Sequence, residues 1–547
     1  MTAQTEQLPE IASNAGAQVP VAARPSHNSG SRGLIRNALV SYVSTGVNMA
    51  TGLVTTPILL SHLGSDRFGV WSLMLSAVAY TGLVEVGLGT ALAKRVAEHE
   101  ARDDKAMLAR VLGTALTMYL LVAALVLLLC GVLSLLIGRM FKIPPGDLAD
   151  ARLCILVLGA NQALVFLFTV QNALLFGSGR LDLLTTAGVL INLAAAALNI
   201  IAVLRGFGIV TLAVIVLASS LAMGLVTRRI IRTRFPGVRI SPREFDLSTA
   251  RQLFSFGARN AIIYVCAAVG LGSDPLVIGF FLPVSSVANY AVASKLTTLV
   301  RTLAAKPIDV TLPSVAHASA LGDHARLFRI QTQATLVSLS VALPLVIGLS
   351  VFADRVIDFW VGGGHGEAAA VLLVLAITTP FLLPGNVSLA LMTGTERNGT
   401  WARIALIFAP VNLVLSILFT AWLHSPVGVA LGSMVTVIVV DTLVVPWCTC
   451  RKFEFSLRHY IVESFGPLPL PAAAALAVAL GLRWATPHAG RYWLPLTLLP
   501  VAGVFVAVLL LSIGPRRRYD YLERFRLALR KRTAVCAPIT PGAFGSS

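Results

Sequence analysis

One stretch of the sequence decides the fold class, VLGTALTMYLLVAALVLLLCGVLSLLI at residues 111–137. It contains no charged residue, and it is longer than the ~20 residues with which a helix crosses the ~30 Å hydrocarbon core of a bilayer. Similar apolar stretches recur from residue 34 almost to the end of the chain. The sequence therefore predicts an all-α polytopic membrane protein.

The composition of the whole chain agrees with this class. Of 547 residues, 56% are hydrophobic and only 12% are charged, and the mean hydropathy is +0.81. An ordinary soluble domain carries about 25% charged residues. The net charge is +18, but charges this sparse cannot form the broad basic face that binds nucleic acid. We expect no nucleic-acid partner, cofactor or metal, since the six cysteines are scattered and mostly lie in apolar stretches.

Fourteen spans are predicted, after a tail at 1–33 that we expect to be disordered and cytoplasmic. They lie at 34–60, 69–92, 108–138, 151–176, 184–204, 209–227, 253–282, 286–312, 329–352, 367–391, 403–423, 426–448, 464–482 and 493–513. Of the 43 Lys and Arg residues, 31 fall on the side of the N-terminus, eight on the opposite side and four within spans. Because basic residues accumulate in cytoplasmic loops, both termini are predicted to be cytoplasmic. The loops are too short for a soluble catalytic domain, so we do not expect an enzyme.

An internal repeat divides twelve of these spans into two groups of six. When the two halves are aligned, the loop at 104–110 falls on the loop at 323–329, and Asn192-Leu193 falls on Asn412-Leu413. Since six is even, both copies start on the same side of the membrane and are related by an axis along its normal. Two such bundles around a cavity are typical of alternating-access transporters. The predicted parts are bundles at 34–228 and 253–450, a basic cytoplasmic linker at 229–252, two extra helices at 464–513 and a basic cytoplasmic tail at 514–547.

Cations within the predicted spans are candidate binding residues, because a charge in the membrane is costly unless it faces water or a partner. The eighth span contains Lys295, Arg301 and Lys306. Lys295 and Lys306 point the same way, about 16 Å apart along a helix, which suits an anionic headgroup. As alternatives, Lys306 snorkels to the membrane surface, and Arg301 pairs with Asp309.

Two further cations lie at corresponding ends of the first and seventh spans. Arg36 and Arg259 are neighbours in the repeat alignment. Together they could form a cationic mouth on the cytoplasmic side of a cavity. The alternative for Arg259 is an interfacial anchor.

Acids within the spans are candidates for ion coupling or for structure. Asp274 precedes Pro275, which interrupts the helix locally. Its carboxylate could bind a coupling cation or cap the half-helix that follows. Glu85 could contact Lys306 across the pseudo-two-fold axis, and Asp309 is the third candidate.

Short motifs in a fixed order carry a family resemblance over roughly residues 34–460. The first span is followed by Leu-Gly at 63–64 and Phe-Gly-Val-Trp at 68–71, and the second contains Gly-Leu-Gly at 87–89. Together with Asp274, Tyr290 and Lys295, this pattern resembles the oligosaccharide flippases of polysaccharide biosynthesis. Their superfamily also contains multidrug/cation antiporters and lipid II flippases. The sequence departs at Glu85, where the family more often has Asp.

The resemblance implies translocation of a polyprenyl-pyrophosphate-linked oligosaccharide across the bacterial inner membrane by alternating access, for lipopolysaccharide (O-antigen) or exopolysaccharide biosynthesis. The implied partners are this lipid-linked oligosaccharide, membrane lipids, a polysaccharide polymerase and glycosyltransferases. Two alternatives are open. One is a multidrug/cation antiporter of the same superfamily, for which acids rather than bases are expected in the cavity. The other is a non-transport subunit of a polysaccharide assembly complex.

Overall fold

The computed structural model describes residues 31–512 except 83–87, 101, 103, 178–180, 235–239, 256–271, 396, 398 and 487–493. Within these limits the chain is all-α, without a β-strand, and the predicted fold class is confirmed. The predicted tail up to residue 30 and the basic tail at 514–547 lie outside the described residues.

The helices are named here in chain order. They are α1 Ser31–Thr81, α2 Leu88–Glu100, α3 Lys105–Met140, α4 Leu148–Gly177, α5 Leu181–Leu204, α6 Ile209–Arg234, α7 Asp274–Phe281, α8 Val284–Ala320, α9 His324–Val351, α10 Ala353–Val361, α11 Gly366–Gly394, α12 Gly399–Leu423, α13 Val427–Val437, α14 Val445–Lys452, α15 Leu457–Phe465, α16 Pro469–Ala485 and α17 Leu494–Ser512. A π-helical segment, Ile438–Val444, joins α13 to α14.

Ten helical segments in the described ranges are long and apolar enough to cross a membrane, against fourteen predicted spans. The first predicted span and the start of the second form one helix, α1, kinked at Gly64 with a φ of 77°. The seventh lies mostly at 256–271, outside the described residues. The eighth corresponds to α8, whose charges make it less apolar than its neighbours, and the fourteenth is represented by the shorter apolar helix Thr497–Ser512. The count of fourteen stays a prediction.

The surface of α3 shows how the helices meet the membrane. Leu121, Leu128 and Leu135, spaced seven residues apart, have exposed fractions of 69%, 64% and 74%. Tyr119, by contrast, is fully buried against neighbouring helices. Leucines exposed in this pattern would be unfavourable in water but are favourable against lipid tails. The chain is therefore a multi-pass membrane protein.

The two loops aligned by the repeat form the same local structure. Asp104 accepts a hydrogen bond from the Met107 backbone N–H at 3.0 Å, and Asp323 accepts one from the Arg326 N–H at 2.9 Å. Each aspartate thereby caps the N-terminus of a long helix, α3 or α9. Equivalent caps at equivalent positions are what a duplicated bundle requires.

Contacts between the two bundles gather at the end predicted to be external. There Gly69 of α1 lies against the carbonyl of Val284 at the start of α8, so closely that a Cβ atom would overlap it. The Lys142 ammonium donates a hydrogen bond to the Phe281 carbonyl at 2.5 Å. Earlier in α1, the Leu53 carbonyl accepts a hydrogen bond from the Trp360 indole N–H at 2.8 Å. We call the contacts of Gly69 and Lys142 the external seam.

The linker between the bundles is attached to α3 at the opposite end. Gly113 leaves space for the Ser241 carbonyl, and the Thr114 hydroxyl accepts a hydrogen bond from the Asp246 N–H at 3.0 Å. Asp246 in turn accepts hydrogen bonds from Ser248 and Thr249. These bonds lower the pKa of Asp246 from 3.8 to about 2. The carboxylate therefore stabilises this turn above about pH 4, and the contribution is lost as the pH falls towards 2.

We expect Gly69→Ala to lower the thermal unfolding midpoint of the detergent-purified protein, because the added methyl group must push the Val284 backbone away from α1. Overpacking of this kind typically costs about 1–3 kcal/mol. Gly46→Ala in the same helix is the matched control, since nothing lies within 4 Å of a Cβ atom at that position. Equal midpoints for the two variants would show that the seam does not require the glycine.

We expect Asp246→Asn to increase backbone hydrogen exchange at 244–250, because the amide cannot replace a carboxylate that accepts three hydrogen bonds. In the wild-type protein, protection of this segment should not change between pH 5 and 8 after correction for intrinsic rates, since the pKa lies well below that range. Hydrogen-exchange mass spectrometry measures both effects. Protection in the variant equal to that of the wild type would contradict the role given to Asp246.

Candidate functional site

A cavity of about 330 Å³ lies between the two bundles. Its walls come from α1, the segment that begins α7, α8, α11 and α13. Along α8 it extends from Tyr290 to Arg301, which is about 16 Å at 1.5 Å per residue. Tyr80 of α1 closes one side, with its hydroxyl against Gly272. Both bundles thus contribute to one polar space at mid-depth in the helices.

Asp274 is the central acid of this cavity and is only 4% exposed. The Tyr290 hydroxyl donates a hydrogen bond to Asp274 Oδ2, and the Ser433 hydroxyl lies near the same carboxyl group. The other oxygen, Oδ1, is buried and has no hydrogen-bond partner. Asp274 is the first residue of α7, after the N-cap residue Ser273. Its carboxylate accepts from Tyr290 of α8, and the roles in cation binding and in capping stay predictions.

Arg301 brings a positive charge to the same cavity. Its positive charge acts on Asp274 and Asp441 at longer range, since no ion pair within 4 Å joins it to either acid in the described part of the chain. Its Nε is buried and makes no hydrogen bond. The alternative pairing of Arg301 with Asp309 is not among the ion pairs of the described residues. Asp309 instead pairs with Lys306 at 3.6 Å, because residues three apart share a helix face whereas Arg301 lies two turns away.

Asp441 lies on an irregular part of its helix and does not itself line the cavity. It lies in the π-helical segment Ile438–Val444, a distortion that often occurs at functional sites. Its carboxylate packs against Gly385 of α11, where any side chain would overlap it. The sequence marks Asp441 only as an acid in an apolar span. Its proximity to Arg301 depends on the packing of α8, α11 and α13.

Lys295 lies outside this cavity, at the contact between α8 and α1. Its side chain is exposed and rests on Gly52, where a Cβ atom would come within 2.7 Å of Lys295 Cε and 3.0 Å of Nζ. Among the described residues no carboxylate lies within ion-pair distance of Lys295. Its ammonium is therefore a cation between the bundles, about 16 Å along α8 from Val284.

The remaining candidates are placed only in part. Arg36 lies within α1, and nothing is described of its side chain. Arg259 and Glu85 lie outside the described residues, so the predicted cationic mouth and the Glu85–Lys306 contact stay predictions. Tyr80 and Ser433 have no charge to single them out in the sequence, and the structure adds them to the cavity.

Two helical bundles that share a polar, charged cavity within the membrane define a transporter fold. The chain belongs to the polysaccharide biosynthesis protein family, which matches residues 34–319.

Individual proteins with similar sequences or folds agree with this membership. The "Uncharacterized membrane protein EpsK" of Bacillus subtilis is 24% identical over 425 residues, which cover 76% of this chain and 82% of EpsK. A solved structure of the lipid II flippase MurJ in an inward closed conformation superposes with a TM-score of 0.69 at 14% identity, covering 89% of this chain and 99% of MurJ. The structure of an inward-facing multidrug resistance transporter of the MATE family superposes with a TM-score of 0.65 at 17% identity. The match covers 76% of this chain and 98% of that transporter. These structures show that the fold is shared.

We expect Arg301→Leu to destabilise the protein, because the Asp274 and Asp441 carboxyl groups would lose the attraction of its positive charge. No ion pair within 4 Å joins Arg301 to either acid in the described part of the chain, so the loss should fall below the figure of about 3–5 kcal/mol for a broken buried pair. The double variant Arg301→Leu/Asp441→Leu should recover part of this loss, since one of the uncompensated acids is then absent. Thermal unfolding of the purified protein in detergent measures both.

Arg67→Leu provides the matched control for this experiment. Arg67 pairs with Asp147 at 2.9 Å on an exposed surface, where ion pairs contribute about 0–1 kcal/mol. If Arg301→Leu unfolds at the same temperature as Arg67→Leu, Arg301 does not neutralise the cavity acids.

Proposed function

We propose that the protein translocates a polyprenyl-pyrophosphate-linked oligosaccharide from the cytoplasmic to the outer leaflet of a bacterial inner membrane. Both termini are cytoplasmic in this proposal, and the translocated product becomes the substrate of a polysaccharide polymerase on the outer side. Family membership and the fold shared with a lipid II flippase support a lipid-linked substrate. The cation at Lys295 supports a pyrophosphate as the group it carries.

The observation that carries the proposal is the position of Lys295. An ammonium group in the membrane interior is costly unless an anion or water accompanies it, and no protein carboxylate does so in the described part of the chain. Its place between α1 and α8 lies where the two bundles part in alternating access. A pyrophosphate held there keeps its lipid tail in the bilayer and its sugars in the polar space.

The closed external seam supports a cycle that starts from the cytoplasmic side. Gly69 and Lys142 hold the bundles together at the external end, so substrate enters from the opposite end in this conformation. Outward movement of the anionic headgroup is then favoured by an inside-negative potential, by about 2.3 kcal/mol per charge per 100 mV. Release requires the seam to open.

The acids have separate roles in this proposal. Asp309 neutralises Lys306 at the cytoplasmic half of α8, so Lys306 is a weaker candidate for substrate than Lys295. Asp274 and Asp441 neutralise Arg301 within the second bundle. Arg36 and Arg259 stay candidates for the cytoplasmic entrance.

We expect Lys295→Met to slow translocation about tenfold or more, because hydrogen bonds to charged groups contribute about 1.5–3 kcal/mol. Lys295→Arg is the matched control and should keep most of the activity, since the charge remains. The measurement is flipping of a labelled lipid-linked oligosaccharide by the purified protein in liposomes.

Two results would count against the proposal. No acceleration by the wild-type protein over empty vesicles, with a donor from its own pathway, would exclude flipping. Wild-type flipping by Lys295→Met would exclude Lys295 as the binding cation. A multidrug/cation antiporter should instead tolerate Lys295→Met, or export cationic drugs faster with it.

A further inference from the structure

Four cations gather at the end of the second bundle that is predicted to be cytoplasmic. The Lys452 ammonium, at the end of α14, donates hydrogen bonds to the Arg397 carbonyl at 2.9 Å and to the Thr400 hydroxyl at 3.0 Å. It therefore lies beside the start of α12, within electrostatic range of the side chains of Arg397 and Arg403. Arg451 precedes Lys452 in the chain. We call Arg397, Arg403, Arg451 and Lys452 the basic cluster.

The basic cluster has no acid to neutralise it among the residues that the structure describes. None of its four cations forms an ion pair there. Glu454, two residues beyond Lys452, is exposed and forms none either, and Glu396 lies outside the described residues. Like charges held close together repel one another, and an anion placed between them offsets that repulsion. The cluster therefore indicates an anionic ligand.

Aromatic side chains position two of the guanidinium groups. The Arg397 guanidinium lies over the Phe453 ring, 5.1 Å from its centre, and that of Arg451 lies over the Trp447 ring at 5.7 Å. Both arginines are exposed. A guanidinium stacked on a ring keeps its N–H groups at its edge, where phosphate oxygens can accept two of them at once. A phosphate is therefore the anion that this arrangement suits.

The position of the basic cluster indicates which kind of phosphate it meets. On the π-helical segment and α14, apolar side chains are exposed at every fourth position up to Arg451, at Val439, Leu443 and Trp447. On α12 they are exposed at every fourth position after Arg403, at Ile407 and Val411. Such stripes face lipid tails, and tryptophan is enriched where tails give way to headgroups. Two stripes that end in arginines side by side place the cluster at the headgroup level.

The basic cluster is separate from the cavity between the bundles. Both of its helices belong to the second bundle, and neither α12 nor α14 contributes a described residue to the cavity wall. Lys295 lies at the contact between α8 and α1, on another face of this bundle. A lipid of the surrounding bilayer, rather than a transported substrate, is the ligand that this position fits.

We propose that the basic cluster binds the headgroup of an anionic phospholipid from the surrounding membrane. Its phosphate accepts hydrogen bonds from Arg403 and Arg451, and its acyl chains lie along the exposed apolar positions of α12 and α14. Basic pockets between membrane helices on the cytoplasmic side bind anionic headgroups in this way. A zwitterionic headgroup is disfavoured, because its ammonium group is repelled by four cations. The inference is independent of the proposed function and gives the second bundle a lipid partner.

The test measures lipid binding to the full-length protein, purified in a neutral detergent, by native mass spectrometry. The probes are phosphatidylglycerol and phosphatidylcholine with the same acyl chains. We expect the first phosphatidylglycerol to bind about tenfold or more tightly than the first phosphatidylcholine. Glycerol 3-phosphate, which has a phosphate but no acyl chains, should not displace phosphatidylglycerol at equal concentration.

The double variant Arg403→Gln/Arg451→Gln tests the cluster itself. A basic residue near an anionic lipid surface contributes about fivefold to affinity, so the two changes should weaken phosphatidylglycerol binding about 25-fold and leave phosphatidylcholine binding unchanged. Both side chains are exposed, and thermal unfolding without added lipid checks that the fold is kept. Arg403→Gln alone is the second variant, with an expected loss of about fivefold.

Arg102→Gln/Arg243→Gln is the matched control. It removes the same charge from exposed positions on the side predicted to be cytoplasmic, away from both stripes, and should keep the wild-type affinity. An equal loss in this control would show a general effect of surface charge and overturn the site. Wild-type affinity in Arg403→Gln/Arg451→Gln, or equal binding of the two phospholipids, would also overturn it. Displacement by glycerol 3-phosphate would show that the ligand is a soluble phosphate and not a lipid.

Discussion

The cost of a charge in the membrane is the constraint on which the rest of this structure depends. Arg301 lies on a helix surrounded by apolar neighbours, and hydrocarbon offers its guanidinium no solvation. The second bundle therefore places two acids from different helices, Asp274 and Asp441, within reach of it. To do so it interrupts one helix before Asp274 and distorts another around Asp441. Gly385 leaves the space that Asp441 occupies.

The cations of α8 divide between structure and function according to their partners. Lys306 has Asp309 one turn away, and Arg301 interacts at longer range with Asp274 and Asp441. Lys295 has neither among the described residues, and it lies where the bundles meet rather than inside one of them. A single helix thus holds the second bundle together and also presents a free charge to the space between the bundles.

Much of the fold could be predicted from the sequence because its signals are local. The uncharged run at 111–137 predicts a span whatever surrounds it, and the aspartates at 104 and 323 are helix caps by residue type and position. The boundary between the first two spans was harder to predict. Gly64 and the polar residues after it resemble a loop, yet the helix resumes directly beyond the kink.

The residues of the candidate site could be predicted from the sequence, but the contacts between them could not. Charge within apolar spans identified Lys295, Arg301 and Asp274. It could not show which way each side chain points, because that depends on helix rotation set by distant contacts. Asp274 faces Tyr290, sixteen residues on, across the turn between α7 and α8.

The continuity of α1 has a mechanical consequence. Beyond the Gly64 kink, one rigid segment carries Gly69 at the external seam and Tyr80 at the cavity wall. These residues are eleven apart, so both lie on nearly the same face of the helix. A rotation of this segment about its joint at Gly64 moves both contacts together. Separation of the bundles at the outer surface and a change in the shape of the cavity below it are therefore one movement of the same helical segment.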